Sequence, residues 1–396
     1  MKKTRWRNRK GAGLLALALT LALAFSVTGA LESRAADPID LEAECTLTVD
    51  GRVLYSLVNA DYDKDYKGNE IMTKPQNVTL TVDLYKVAEI NESGGYTALA
   101  EDFEGAVLDD ENQTGLLNAL QDVTWKTTAE EWQEMAAAAE SVVKADGFSG
   151  TPVDETKTIT EDQQMVTFGK ESENDMENAS VNPGLYLVVP GQVDTPFYTY
   201  NLDAFLVALP GNNYKWEETE DGVQGSGDDA WVDTVSTDIT TELKVERVNK
   251  EGELYISKSL TEFSGLPGSK VETVFQIDIV TLEGKSEQRF VSFYFDGTTE
   301  SEPVLVSGIP AGSDVTVTEV YAGAGYELAD GSAEKWIIEE LPAVTEGENG
   351  GAQKAVFHNQ PDGSATGGSG ITNRFYYENG WQWEQQEGSN STLPNE

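Results

Sequence analysis

Apolar and polar residues alternate with period two through much of this chain, the pattern of half-buried strands. In residues 254–260 the face that carries Leu254, Ile256 and Leu260 also carries Lys258. An ammonium on an apolar face is costly without a partner, so a lysine there needs an explanation. Two later strands repeat the anomaly. Glu319 shares a face with Val315, Val317 and Tyr321, and Asn359 shares one with Ala355 and Phe357.

The same period predicts strands at 254–260, 273–281, 290–295, 303–307, 315–321, 336–340 and 354–359. A Gly/Ser turn at 363–370 then leads to a last stretch, 371–377, and to Trp381 and Trp383. Strands at this spacing, with turns and no helix between them, predict an Ig-like sandwich over 249–385, followed by a polar tail at 386–396. Before it, 37–248 reads as a mostly β domain. Its strands are expected at 44–57, 77–88, 184–190, 197–209 and 239–245. One helix is predicted there. Thr128 and Glu131 form a capping box, Trp132, Met135, Ala136, Ala139, Val142 and Val143 recur at helical spacing, and Gly147 ends the run. The expected fold is therefore mainly β: Ig-like β-sandwich domains in tandem, with one crossover helix in the first domain.

Residues 243–385 resemble the B-type repeat domain of Gram-positive collagen-binding adhesins and pilins (CnaB-like). The matching pieces are the Lys258 strand, Gly308-Ile309-Pro310-Ala311-Gly312 followed by Val315-Thr316-Val317-Thr318-Glu319, the Gly325-Tyr326 pair, and Val356-Phe357-His358-Asn359. The first domain, through Leu84-Tyr85-Lys86-Val87 and Gly184-Leu185-Tyr186-Leu187-Val188, is similar to the N-terminal module of sortase-assembled pilins. The resemblance implies an autocatalytic isopeptide bond between Lys258 and Asn359, with Glu319 as the catalytic group. The chemistry requires a neutral lysine amine and a protonated glutamate, both of which burial favours. Glu319 is expected to donate a hydrogen bond that polarises the Asn359 amide. Asn373, which shares a face with Ile371 and Phe375, is a rival acceptor. The alternative for the same residues is a buried or rim ion pair between Lys258 and Glu319, with Asn359 capping a turn. Pilins of this kind also carry a lysine that sortase joins to the next subunit. Lys244 stands in the right region, after Trp231, although the spacing is longer and the motif's proline is missing.

Six basic side chains in residues 1–10, an apolar run to Ala30 and small residues at Thr28, Ala30, Ala35 and Ala36 predict a signal peptide over 1–36. Residues 1–36 carry seven of the 27 basic and one of the 69 acidic residues, so their removal moves the net charge from −42 to −48. Such a chain lacks the basic face that nucleic acid needs. Cys45 stands alone, so an exported form has no disulfide staple.

Other chemistry is sparse. Asp61, Asp63 and Asp65 have calcium-loop spacing, but Tyr66 and Met72 occupy the positions that need glycine and glutamate, so a solvated turn is expected. Lys86 lies on an apolar face and is read as a snorkelling lysine at the end of its strand. With one histidine, His358, and one cysteine, no triad or zinc site is framed. Neither a cofactor nor a metal is expected. Leu393-Pro394-Asn395-Glu396 resembles the start of a Leu-Pro-x-Thr-Gly sorting signal. That leaves a truncated sequence, a secreted unanchored protein, capture by another factor, or coincidence.

The functional expectation is a secreted, cell-wall-associated structural protein, pilin- or adhesin-like and not an enzyme, with other pilus or cell-wall proteins and sortase as partners. The alternative is a secreted module that binds a glycan or host protein, with Trp381 and Trp383 as a stacking pair. A hydrolase is the third reading.

Overall fold

The structure, a computed structural model, describes residues 38–109, 114–124, 126–169, 181–214, 218–219, 222–223, 231–265, 269–344, 352–364, 372–377 and 381–386, with the backbone alone at 212–235 and 372–386. The predicted signal peptide and residues 387–396 of the predicted tail lie outside the described residues, while Gln386 ends the strand Trp381–Gln386. The chain is mainly β. It forms two compact units: one of residues up to Val53, Thr79–Gly191 and Leu202–Lys244, the other of Leu54–Val78, Gln192–Asn201 and the chain from Val245 onward.

The first unit is built on the strand Gly184–Pro190. This run is buried along its length except at half-buried Val189, as expected of a strand covered on both faces. It lies between Phe205–Leu209 and Thr79–Ile90 in a five-stranded sheet that Tyr96–Leu99 and Lys157–Thr160 complete. The helix Ala129–Val143 covers one face. Its start follows the capping-box expectation: Glu131 N donates to Thr128 Oγ1 at 3.2 Å, and Thr128 N donates to Glu131 Oε2 at 2.6 Å. Met135, Ala136 and Ala139 pack into a core with Tyr85, Leu185, Leu187 and Leu206. A second sheet holds Thr46–Asp50 between parallel Asp238–Glu242 and antiparallel Met165–Phe168.

Three expectations for this part of the chain are corrected. The strand expected at 44–57 ends at Asp50, and the helix Arg52–Asp61 follows. The Asp50 carboxylate accepts from Arg52 N at 2.9 Å and opens the helix, which buries Leu54, Tyr55 and Val58. A further short helix, Leu116–Gln121, buries Leu116 and Leu120, so there are three α-helices among the described residues rather than one. The strand expected at 197–209 divides into Tyr198–Leu202 and Phe205–Leu209, which join different sheets.

The second unit contains a sandwich of two four-stranded sheets. In one, the order is Val304–Pro310, Glu251–Leu260, Gln353–Pro361, Tyr326–Leu328; in the other, Ser286–Phe295, Val271–Val280, Asp314–Tyr321, Lys335–Ile338. Leu254, Ile256, Phe357, Phe275, Ile277, Val315 and Val317 interleave in one core. Beside it, Val193–Asp194, Tyr198–Leu202 and Val245–Asn249 form a small sheet. Tyr62 stacks on Phe197 with ring centroids 5.6 Å apart. Its hydroxyl donates to Thr195 Oγ1 at 2.9 Å and accepts from Phe197 N at 2.8 Å. Asp61 pairs with Arg247 and accepts from Tyr200 Oη at 2.7 Å, while Asp65 accepts from Lys67 N and Asn69 N in its own turn. Among the described residues no three His, Cys, Asp or Glu side chains converge as metal ligands, and no helix is long and apolar enough to cross a membrane.

Candidate functional site: a buried lysine, glutamate and asparagine

Alternate residues of Glu251–Leu260 are buried from Gly252 to Leu260, so period two turns Lys258 inward with Leu254 and Ile256. Its side chain is 0% exposed. Asn359 comes from the neighbouring parallel strand Gln353–Pro361 and is also fully buried. Glu319 reaches in from the facing sheet, on Asp314–Tyr321.

The three side chains meet at one oxygen. Lys258 Nζ lies 2.9 Å from Glu319 Oε1, and Asn359 Nδ2 donates to that same Oε1 at 2.9 Å. Asn359 Nδ2 also donates to the Ala322 carbonyl at 3.0 Å. Although Lys258 Nζ is close to Glu319, it makes no well-directed hydrogen bond, and Asn359 Oδ1 has no partner. The walls are aromatic: Lys258 Nζ stands 5.7 Å from the centroid of Phe275, whose ring packs against Phe357 and Phe293 at 4.7 and 5.5 Å. Burial pushes Lys258 down from its ordinary pKa against the pull of Glu319, and pushes Glu319 up against the pull of Lys258. Both shifts favour the uncharged forms.

Glu319 meets the Asn359 amide at its nitrogen, which donates to Oε1. The Ala322 carbonyl can only accept, so it fixes the NH2 group on this side. Glu319 Oε1 therefore touches both Lys258 Nζ and Asn359 Nδ2. Ala322 itself went unnoticed in the sequence, since a backbone carbonyl has no side-chain signature. It is brought in by a β-bulge: Phe275 lies opposite Glu319 but Val274 opposite Tyr321, leaving Val320 as the extra residue. Bulges of this kind redirect the residues beside a site.

Lys244 is exposed, in the link between Asp238–Glu242 and Val245–Asn249, and buried Leu243 precedes it. Lys86 pairs with Glu89 Oε2 at 2.6 Å, at a bulge that turns Val87 and Ala88 into the core. His358 Nδ1 lies 2.6 Å from Ser259 Oγ on the outer side of the sheet. Cys45 is buried, and burial followed by nearby Asp238 pushes its thiol up to about 11. Asn373 lies on Thr372–Tyr377, which pairs with Trp381–Gln386; its side chain and those of Trp381, Trp383 and Trp231 lie outside the described residues.

No protein-family model matches the sequence, and no curated protein matches it. Among solved structures, the chain is similar to the Bacillus anthracis TIE protein at 17% identity and TM-score 0.24, over 52% of this chain and 28% of that one. It is similar to a major pilin of Streptococcus pyogenes at 11% identity and TM-score 0.23, over 81% and 98% of the two chains. A third is the full-length major pilin SpaD of Corynebacterium diphtheriae, at 12% identity and TM-score 0.21, over 82% and 99%. The chain thus spans about 28% of the length of the TIE protein. Likeness of this degree assigns neither a family nor an activity.

Proposed function

We propose that this chain is a secreted cell-surface structural protein of pilin or adhesin type, whose CnaB-like sandwich over 249–385 is closed by an autocatalytic Lys258–Asn359 isopeptide bond. The observation that supports this reading is the sharing of Glu319 Oε1 by Lys258 Nζ and Asn359 Nδ2, each at 2.9 Å, inside an apolar core. Neutral Lys258 Nζ adds to Asn359 Cγ, the Cγ–Nδ2 bond breaks, and ammonia leaves. Protonated Glu319 gives its proton to Nδ2 and takes one from Nζ, so it ends as it began. The reaction occurs once per chain and is not turnover. Other pilus or cell-wall proteins are the partners in this reading, with Lys244 as the residue that sortase would join and a host protein or glycan as ligand.

Intact-mass measurement of the exported protein tests the bond. The mature chain should weigh about 17 Da less than its sequence, the mass of one ammonia. Lys258→Ala, Glu319→Ala and Asn359→Ala should each restore the full mass. A wild-type chain of full mass leaves only the buried ion pair. A deficit that survives Asn359→Ala but not Asn373→Ala moves the acceptor to Asn373.

A further inference from the structure

Among the described residues, three buried side-chain polar atoms have no hydrogen-bond partner: Lys258 Nζ, Asn359 Oδ1 and Thr273 Oγ1. The first two belong to the reacting pair. The fold gives no reason for the third. Thr273 is 0% exposed, and a buried hydroxyl without a partner destabilises the structure that holds it.

Thr273 faces the inside of the sandwich. It lies opposite core residue Phe293, and its same-face neighbours along the strand, Val271 and Phe275, are core residues too. Phe275 lies opposite Glu319. Val271 abuts Gly323, where an added Cβ would come within 2.7 Å of Val271 Cγ1. Thr273 therefore stands level with the stretch from Glu319 to Gly323. Asn359 is tied to that same stretch through Glu319 Oε1 and Ala322 O. Those two acceptors engage its NH2 group and leave its carbonyl oxygen without a donor. That oxygen is the atom on which negative charge develops when the amine adds.

We propose that Thr273 Oγ1 donates the hydrogen bond that stabilises Asn359 Oδ1 in the transition state of cross-link formation. The inference rests on the isopeptide reading above. As Nζ adds to Cγ, the C=O π pair moves onto Oδ1, and the Thr273 hydroxyl holds that charge without giving up its proton. Collapse restores the carbonyl and breaks Cγ–Nδ2, and ammonia leaves with the proton relayed by Glu319. A donor left unused in the ground state and engaged only as charge develops lowers the barrier rather than stabilising the reactant.

Thr273→Val keeps the shape and removes the hydroxyl; Thr273→Ser restores it. Full-length chains made by cell-free synthesis and quenched in acid at timed intervals give, by intact mass, the fraction that has lost ammonia. Wild type and Thr273→Ser should react at similar rates, and Thr273→Val roughly 100-fold more slowly. In an Asn359→Ala background, where no bond forms, Thr273→Val should leave the melting temperature unchanged or raise it. Equal rates for Thr273→Val and wild type overturn the proposal, as does a Thr273→Ser chain as slow as Thr273→Val. A Thr273→Val chain that melts lower, or does not fold, in the Asn359→Ala background also overturns it, by making the hydroxyl structural. A wild-type chain that never loses ammonia overturns the isopeptide reading itself, so the two failures are distinguishable.

Discussion

Lys258 and Asn359 stand on neighbouring strands that run parallel, with Lys258 opposite Phe357 and Asn359 opposite Leu260. The lysine must lean about two residues along its strand, roughly 6–7 Å, to meet the asparagine. A long side chain reaching a short one suits that offset. Because the two strands open and close the sandwich, a bond between them would restrain every strand that lies between them in the chain.

The size of that restraint can be measured. Residues 258 and 359 are 101 positions apart, and by analogy with disulfides a tie of that span stabilises by roughly 4–5 kcal/mol in the chain-entropy model. The double variant Lys258→Met/Glu319→Gln separates a tie from an ion pair. Replacing both members of a buried ion pair by uncharged groups of similar size is often neutral or stabilising. Loss of a covalent tie is not. Denaturant unfolding should therefore show the double variant less stable by about 4–5 kcal/mol. A double variant as stable as wild type would leave an ion pair and no bond.

For Lys244 the expectation is the opposite: a change in assembly without a change in stability. Its side chain is exposed, and surface substitutions of this kind usually stay within about 0.5 kcal/mol. Lys244→Ala should abolish high-mass ladders in cell-wall extracts and leave the melting temperature where it was. Ladders that persist would take the linkage away from this lysine.

Tyr62 makes a structural prediction independent of the cross-link. Its hydroxyl is the acceptor for the Phe197 N–H and the donor to Thr195 Oγ1. Tyr62→Phe keeps the ring stack and strands a buried amide, at a cost of about 1–3 kcal/mol. The melting temperature should fall while the mass deficit stays at one ammonia. An unchanged melting temperature would show that Phe197 N–H finds another partner.

The inward facing of Lys258 and Asn359 could be read from the sequence, because both sit in uninterrupted period-two runs. Glu319 was readable for the same reason, although the bulge at Val320 begins immediately after it. The Ala322 carbonyl was not, since it owes its place to that bulge and to no side chain. Arg52–Asp61 escaped because Leu54 and Tyr55 continue a strand-like run whose change of period is marked only by Asp50 and Gly51. The pairing of Tyr198–Leu202 with Val245–Asn249 leaves no local signal in either segment. The helix at Ala129 was readable to its first residue, since a capping box is a local device.

The pH dependence of an unreacted chain gives the last prediction. In Asn359→Ala, folding lowers the pKa of Lys258 from 10.5, chiefly by burial. The unfolded chain then holds that proton more tightly than the folded one. The Lys258 contribution is present above 10.5 and is lost as pH falls through the depressed folded value. Glu319 behaves in the opposite sense. Burial raises it from 4.5, so its contribution is present below 4.5 and is lost as pH rises through the raised folded value. In wild type with the bond formed, the Lys258 nitrogen is an amide and does not titrate. The gap in melting temperature between wild type and Asn359→Ala should therefore be wider below the depressed Lys258 value than above 10.5. It should narrow toward about pH 10, as the variant regains the Lys258 contribution. Lys258→Met placed in the Asn359→Ala chain should remove that narrowing. A gap that widens toward alkaline pH, or that narrows equally with methionine in place, would mean that Lys258 is not the buried group responsible.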